Sequence, residues 1–111
     1  MITVNYDSMP DKLFKNYLEF LISQVFKILP IKEQEPETLG NYLESMMVEL
    51  KGNQSLIKKL RYDANFMRLL GTIQYLIDTE NCEHKVIKRE VFKAISIVEK
   101  LQEKYLVKEG D

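Results

Sequence analysis

Apolar residues recur three and four positions apart along most of this chain, and this periodicity restricts its fold more than any other feature of the sequence. Between positions 36 and 51 they are Leu39, Tyr42, Leu43, Met46, Met47 and Leu50. Such spacing places the side chains along one side of an α-helix. Beyond the first five residues we find no alternation with period two, so strands are not expected.

The same period extends over five segments, and the residues at their ends are typical of helix boundaries. We predict helices over about 9–29, 36–51, 54–62, 63–78 and 82–106. Ser8 is a helix cap for the first segment, and Pro30 is expected to end it. Pro36 fits the first position of the second helix, Gly52 and Asn53 are a stop signal, and Asp63 can cap the fourth helix.

These segments predict an all-α single domain, built as an antiparallel bundle of four long helices plus one short helix. Loops of only a few residues favour antiparallel neighbours, and 111 residues are an ordinary length for one domain. Apolar residues cover more than half the circumference of the first helix. A stripe of that width predicts a helix with two neighbours, or one that also meets a partner.

The residues that usually carry catalysis are scarce, because the chain has one His and one Cys. Cys82 and His84 are two positions apart and would point in different directions on a helix. The glycines are too dispersed for a phosphate-binding loop. We therefore predict no catalytic residue, no metal, no cofactor and no small-molecule substrate. Glu80 and Glu83 form half of an acidic motif, which keeps a metal-dependent phosphate-chemistry enzyme as an alternative.

Glu90 does not fit its surroundings, since it falls near the edge of the apolar face of the last helix. A carboxylate in that position needs a partner. We expect that partner to be Arg61, Arg68 or the hydroxyl of Tyr42. A structural ion pair is the preferred interpretation, and an ion pair at an interface or a catalytic acid are the alternatives.

A second group of candidates comes from the helix over 63–78, where Arg68, Thr72 and Tyr75 share the side expected to be exposed, with Gly71 beside them. Tyrosine and arginine are enriched at binding hot spots. A glycine allows another helix to approach closely. The preferred interpretation is a seam with another helix of the same fold, and the alternative is an interface with a partner.

Charge is distributed unevenly along the chain although the net charge is only −1. Residues 1–50 carry 8 acidic and 4 basic residues, whereas 51–111 carry 9 acidic and 12 basic residues. The last helix presents Lys85, Arg89 and Lys93 on its polar face. Such a stripe, together with the helix pair over 54–78, keeps a nucleic-acid-associated regulator as the main alternative.

Our expectation for the function is a non-enzymatic helical interaction protein that acts as a subunit, adaptor or regulator. It would bind a protein partner or form a homodimer, and the candidate interface is Arg68, Thr72, Tyr75, Lys85, Arg89, Glu90 and Lys93. With one cysteine, no export signal and no long apolar segment, a cytoplasmic protein without a membrane span is expected. By analogy alone, small helical proteins of this kind point to a bacterial mobile element or phage.

Overall fold

The computed structural model describes residues 11–79 and 82–109, and the regular structure in these ranges is entirely helical. The helices are α1 (Asp11–Phe26), α2 (Ile28–Gln34), α3 (Pro36–Leu56), α4 (Lys58–Arg61), α5 (Ala64–Asp78) and α6 (His84–Glu109). The prediction of an all-α fold is confirmed. The predicted start of the first helix at residue 9 lies outside the described residues.

Two polar contacts fix α1 and α3 in antiparallel order. Tyr42 at the start of α3 donates its hydroxyl to the carbonyl of Gln24 near the end of α1, at 2.7 Å. Asn53, near the end of α3, donates from Nδ2 to the Tyr17 hydroxyl at 2.8 Å. These two pairs run in opposite directions along α1 and α3, as an antiparallel bundle requires.

Pro30 does not end the first helix, contrary to the prediction. It lies within α2, in the first turn, where its missing N–H costs no intrahelical hydrogen bond. The proline ring clashes with the carbonyl four residues earlier, which is that of Phe26, the last residue of α1. Regular helix is interrupted at Lys27, which lies in a turn between α1 and α2, and it continues through residues 31–34, beyond the boundary that the sequence indicated.

The stop predicted at Gly52 and Asn53 is also wrong, because α3 continues to Leu56. Asn53 is held in the helix by its hydrogen bond to Tyr17, a contact between distant parts of the chain. The helix ends where Ile57 adopts an extended backbone and buries its side chain. The predicted helix over 54–62 is consequently reduced to the single turn α4.

Other boundaries follow the sequence closely. Pro36 occupies the first turn of α3. Asp63 caps α5 as predicted, since its Oδ1 accepts from the backbone N–H of Phe66 at 3.0 Å. The last helix begins at His84 rather than at Cys82, which lies in the preceding bend.

The centre of the bundle is α6, which packs against α1, α2 and α5. Its fully buried residues recur at helical spacing: Ile87, Val91, Ala94, Val98 and Leu101. Phe14 of α1 and Phe66 of α5 are the largest side chains buried in the same core. Burial of such residues supplies most of the stability of a helical domain, because isolated helices of this length are marginal in water.

Candidate functional site

A groove between α5 and α6 contains most of the residues that the sequence indicated as an interface. It encloses about 430 Å³ and is lined by Arg68, Gly71, Thr72, Tyr75, Glu90 and Lys93. We call this surface the α5–α6 groove. Its lining residues on α5 occupy successive turns of that helix, and the two on α6 lie one turn apart.

An ion pair between described residues joins the start of α5 to α6. Lys104 of α6 lies 2.8 Å from Oδ2 of Asp63, the residue that caps α5. Because Asp63 precedes α5 and Lys104 lies late in α6, the pair fits an antiparallel order of α5 and α6. This order brings Glu90 and Lys93, near the start of α6, beside the later turns of α5.

Thr72 is not exposed as the sequence indicated, and belongs to the seam between the helices. Its side chain is buried, and its hydroxyl donates to the carbonyl of Arg68, one turn earlier, at 3.0 Å. Arg68 and Tyr75 flank it on the exposed side, with 42% of Tyr75 accessible to solvent. Arg68, Thr72 and Tyr75 therefore lie at the edge of the seam between α5 and α6, and this edge is open to solvent.

Glu90 is buried, with only 7% of the residue exposed, but the partners predicted for it are wrong. Within the described part of the chain, its carboxylate pairs with Arg89 at 3.3 Å and with Lys93 at 3.8 Å. Arg61 instead donates to the carbonyl of Ser55. The partners on α6 are closer in sequence and satisfy the carboxylate without a cation from another helix.

The other basic candidates lie along the same side of α6. Arg89 is joined to the groove through Glu90, while Lys85 is exposed in the first turn and outside the groove. That first turn carries no acidic residue. Cations at a helix N-terminus oppose the helix dipole and cost a few tenths of a kcal/mol each. The placement of Lys85 in the first turn is therefore unfavourable for α6 itself.

Gly71 is the least expected member of the groove from the standpoint of helix stability. A glycine inside a helix costs about 1 kcal/mol relative to alanine. A Cβ built at Gly71 would meet no atom of the described residues within 4 Å, and the φ of Gly71 is not in the left-handed region. Neither crowding nor backbone strain within the fold therefore requires glycine at this position.

The sequence did not indicate two further concave surfaces. One of about 300 Å³, between α3 and α5, includes Val48, which is 73% exposed and falls outside the apolar stripe of α3. Another, of about 330 Å³, includes Tyr62 and Met67, and Tyr62 is 84% exposed. An apolar residue out of register with its stripe is the signal that could have indicated the first surface.

The remaining chemistry of the described residues is limited. They contain no cluster of three His, Cys, Asp or Glu side chains that could hold a metal ion. Cys82 is an exposed free thiol, and His84 Nε2 lies 3.9 Å from Glu33, beyond hydrogen-bond distance. Glu80 lies outside the described ranges. No helix in these ranges is both long enough and apolar enough to cross a bilayer.

Comparisons with protein-family models, curated proteins and solved structures returned no match for this chain.

Proposed function

We propose that this chain is a non-enzymatic interaction protein of the cytoplasm, which binds another polypeptide in the α5–α6 groove and serves as a subunit, adaptor or regulator. The observation that carries the proposal is the composition of this groove. It joins a partly exposed tyrosine, an arginine and an open helical glycine in one concavity. Tyrosine and arginine are the residue types that dominate binding energy at protein interfaces.

Exposed apolar side chains elsewhere on the surface support the same function. On α1, Leu13 is 55% exposed, Phe20 56% and Phe26 50%. Leu13 and Phe20 are two turns apart, so they share one side of the helix. Single exposed apolar residues are ordinary on protein surfaces. We therefore assign the interaction to the groove and treat the exposed side of α1 as a comparison surface.

Site-specific photocrosslinking in the cells that naturally produce the chain tests this proposal. A photoreactive phenylalanine analogue replaces Tyr75 in one variant and Lys51, exposed on α3, in the control. We expect a protein adduct from position 75 that is missing from position 51. A nucleic-acid adduct at position 75, or the same products at both positions, would contradict the proposal.

A further inference from the structure

We infer that the occupant of the α5–α6 groove is an acidic α-helix of a different protein, with carboxylates four residues apart. The inference rests on the proposed function and specifies the chemistry of the partner. It combines three features of the groove: the open glycine on α5, the spacing of the cations on α6, and the sign of the net charge between them.

Gly71 indicates that the occupant approaches the backbone of α5 closely. The glycine destabilises α5, and no contact among the described residues requires it. A missing Cβ is useful where a second backbone must come near. Tyr75, one turn along α5, offers a partly exposed ring on which an apolar side chain of the occupant could rest.

The cations on α6 indicate the charge of the occupant. Arg68 of α5 and Lys93 of α6 line the groove together with one carboxylate, that of Glu90, and Arg89 pairs with Glu90 from outside the lining. Among these described residues positive charge is therefore in excess. The pairing with Glu90 leaves the Arg89 side chain 67% exposed and that of Lys93 56% exposed. Arginine has five donor hydrogens and lysine three, so both retain donors for further carboxylates.

The spacing of these cations indicates a helix. Lys85, Arg89 and Lys93 follow one another at intervals of four residues, which is about 6 Å along the axis of α6. A partner helix lying along α6 has the same rise per residue. Carboxylates at positions i and i+4 of that helix would therefore match Arg89 and Lys93, and a further acid at i+8 or i−4 would match Lys85.

A second copy of this chain suits the groove poorly. A twofold dimer through the groove would bring together two copies of the same surface, each with an excess of positive charge. Like charges across an interface are unfavourable. A nucleic-acid duplex is also less favoured, because α4 is too short to form a helix-turn-helix with α5.

A display library of helical peptides, selected on the intact protein, tests the inference whatever the identity of the natural partner. The library randomises one face of a stabilised 21-residue helix, about six turns in length. We expect selected peptides to carry Glu or Asp four positions apart beside small or apolar residues. Their binding should shift the amide resonance of Gly71 in the NMR spectrum of the labelled protein.

Matched variants identify where the peptides bind. Gly71→Leu should weaken binding at least tenfold, or about 1.4 kcal/mol, whereas Gly52→Leu should not change it. Both glycines are exposed and helical, with open space where a Cβ would lie, so both variants should fold. Arg89→Glu combined with Lys93→Glu should also abolish binding, whereas Lys100→Glu, two turns farther along α6, should leave it within about twofold, as expected for a distant rim charge.

Other results of the selection and of the NMR experiment would contradict separate parts of the inference. Groove-binding peptides without acidic residues would overturn the inferred acidity and leave the proposed function standing. Peptides that bind at Leu13 and Phe20 on α1 would overturn the assignment of the groove itself. A shift of the Gly71 resonance with protein concentration alone, or with a 20-base-pair DNA duplex, would replace the acidic helix with a second copy or with nucleic acid.

Discussion

Two buried carboxylates, one at the start of α5 and one on α6, have different roles in the fold. Asp63, at the start of α5, is 6% exposed, caps its own helix and binds Lys104 of α6. Glu90, in the α5–α6 groove, is 7% exposed and pairs only with neighbours on α6 among the described residues. Their burial is nearly equal, but only Asp63 connects two helices.

Asp63 therefore stabilises the packing of two helices, whereas Glu90 contributes little to it. A charge–charge contact across two elements is lost when the elements separate, so it contributes to their packing. A contact between Glu90 and Lys93, three residues apart on one helix, can form wherever that helix forms. The burial of Glu90 therefore gains the bundle little, which agrees with a role at a binding surface.

The largest expected effect is the loss of Asp63. Asp63→Ala removes the cap of α5 and the partner of Lys104, and should lower the free energy of unfolding by about 2–3 kcal/mol. Urea unfolding followed by circular dichroism measures this change. Asp78→Ala, an exposed residue that accepts a hydrogen bond from Gln74 on its own helix, is the control and should change stability by less than about 0.5 kcal/mol.

The two roles of Asp63 can then be separated. Asparagine is as good a helix cap as aspartate, so Asp63→Asn should retain the bond to the Phe66 N–H and lose only the charge facing Lys104. We expect a loss of about 1 kcal/mol, because the lysine is half exposed. If Asp63→Asn were as damaging as Asp63→Ala, the ion pair rather than the cap would account for the stabilisation.

The uncharged hydrogen bond between Asn53 and Tyr17 also joins two helices, so its loss should lower stability as the loss of Asp63 does. Tyr17→Phe leaves Asn53 without its acceptor and should cost about 1 kcal/mol at neutral pH. Burial raises the pKa of the Tyr17 hydroxyl far above its usual value. The wild type should therefore lose stability as the pH rises above about 10, where tyrosine ionises in the unfolded chain.

Tyr17→Phe should flatten this alkaline loss, because the variant has no hydroxyl to titrate at that position. Melting temperatures measured from neutral to strongly alkaline pH test the claim. Parallel curves for the two proteins would show that Tyr17 does not cause the decline.

At Gly71, in the α5–α6 groove, we expect a substitution to raise the stability of the protein rather than lower it. Gly71→Ala should stabilise the protein by about 0.5–1 kcal/mol, since alanine favours the helix and the added methyl meets nothing. Gly52→Ala should stabilise it equally. Calorimetry of the two variants measures the change, and destabilisation by Gly71→Ala alone would mean that the fold itself requires the glycine.

The smallest expected effect is that of Glu90→Gln, below about 0.5 kcal/mol, because both partners are largely exposed. Glutamine retains the shape of the side chain and can accept from either cation. The same urea titration used for Asp63 gives the comparison. A loss as large as that of Asp63→Ala would remove the distinction between the two carboxylates.

The sequence predicted which residues belong to the candidate site, but it did not predict how they are arranged. Most of the groove's lining residues were identifiable from hot-spot composition and from the misfit of Glu90 with its apolar neighbours. The antiparallel order of α5 and α6 follows from the short connection between them. The contact between Asp63 and Lys104, which are 41 positions apart, was not predictable from the sequence. The partners of Glu90, by contrast, lie one and three positions away on α6 itself and do not depend on the facing helix.

The sequence by itself determined the all-α class, the apolar side of each helix and the cap at Asp63, because these depend on interactions within one or two turns. The tertiary structure alone decided that α3 continues past Gly52 to Leu56. A proline or glycine sets only a local preference of a few kcal/mol or less. Contacts such as Asn53 with Tyr17, together with the burial of Ile57, exceed that preference once the chain is packed.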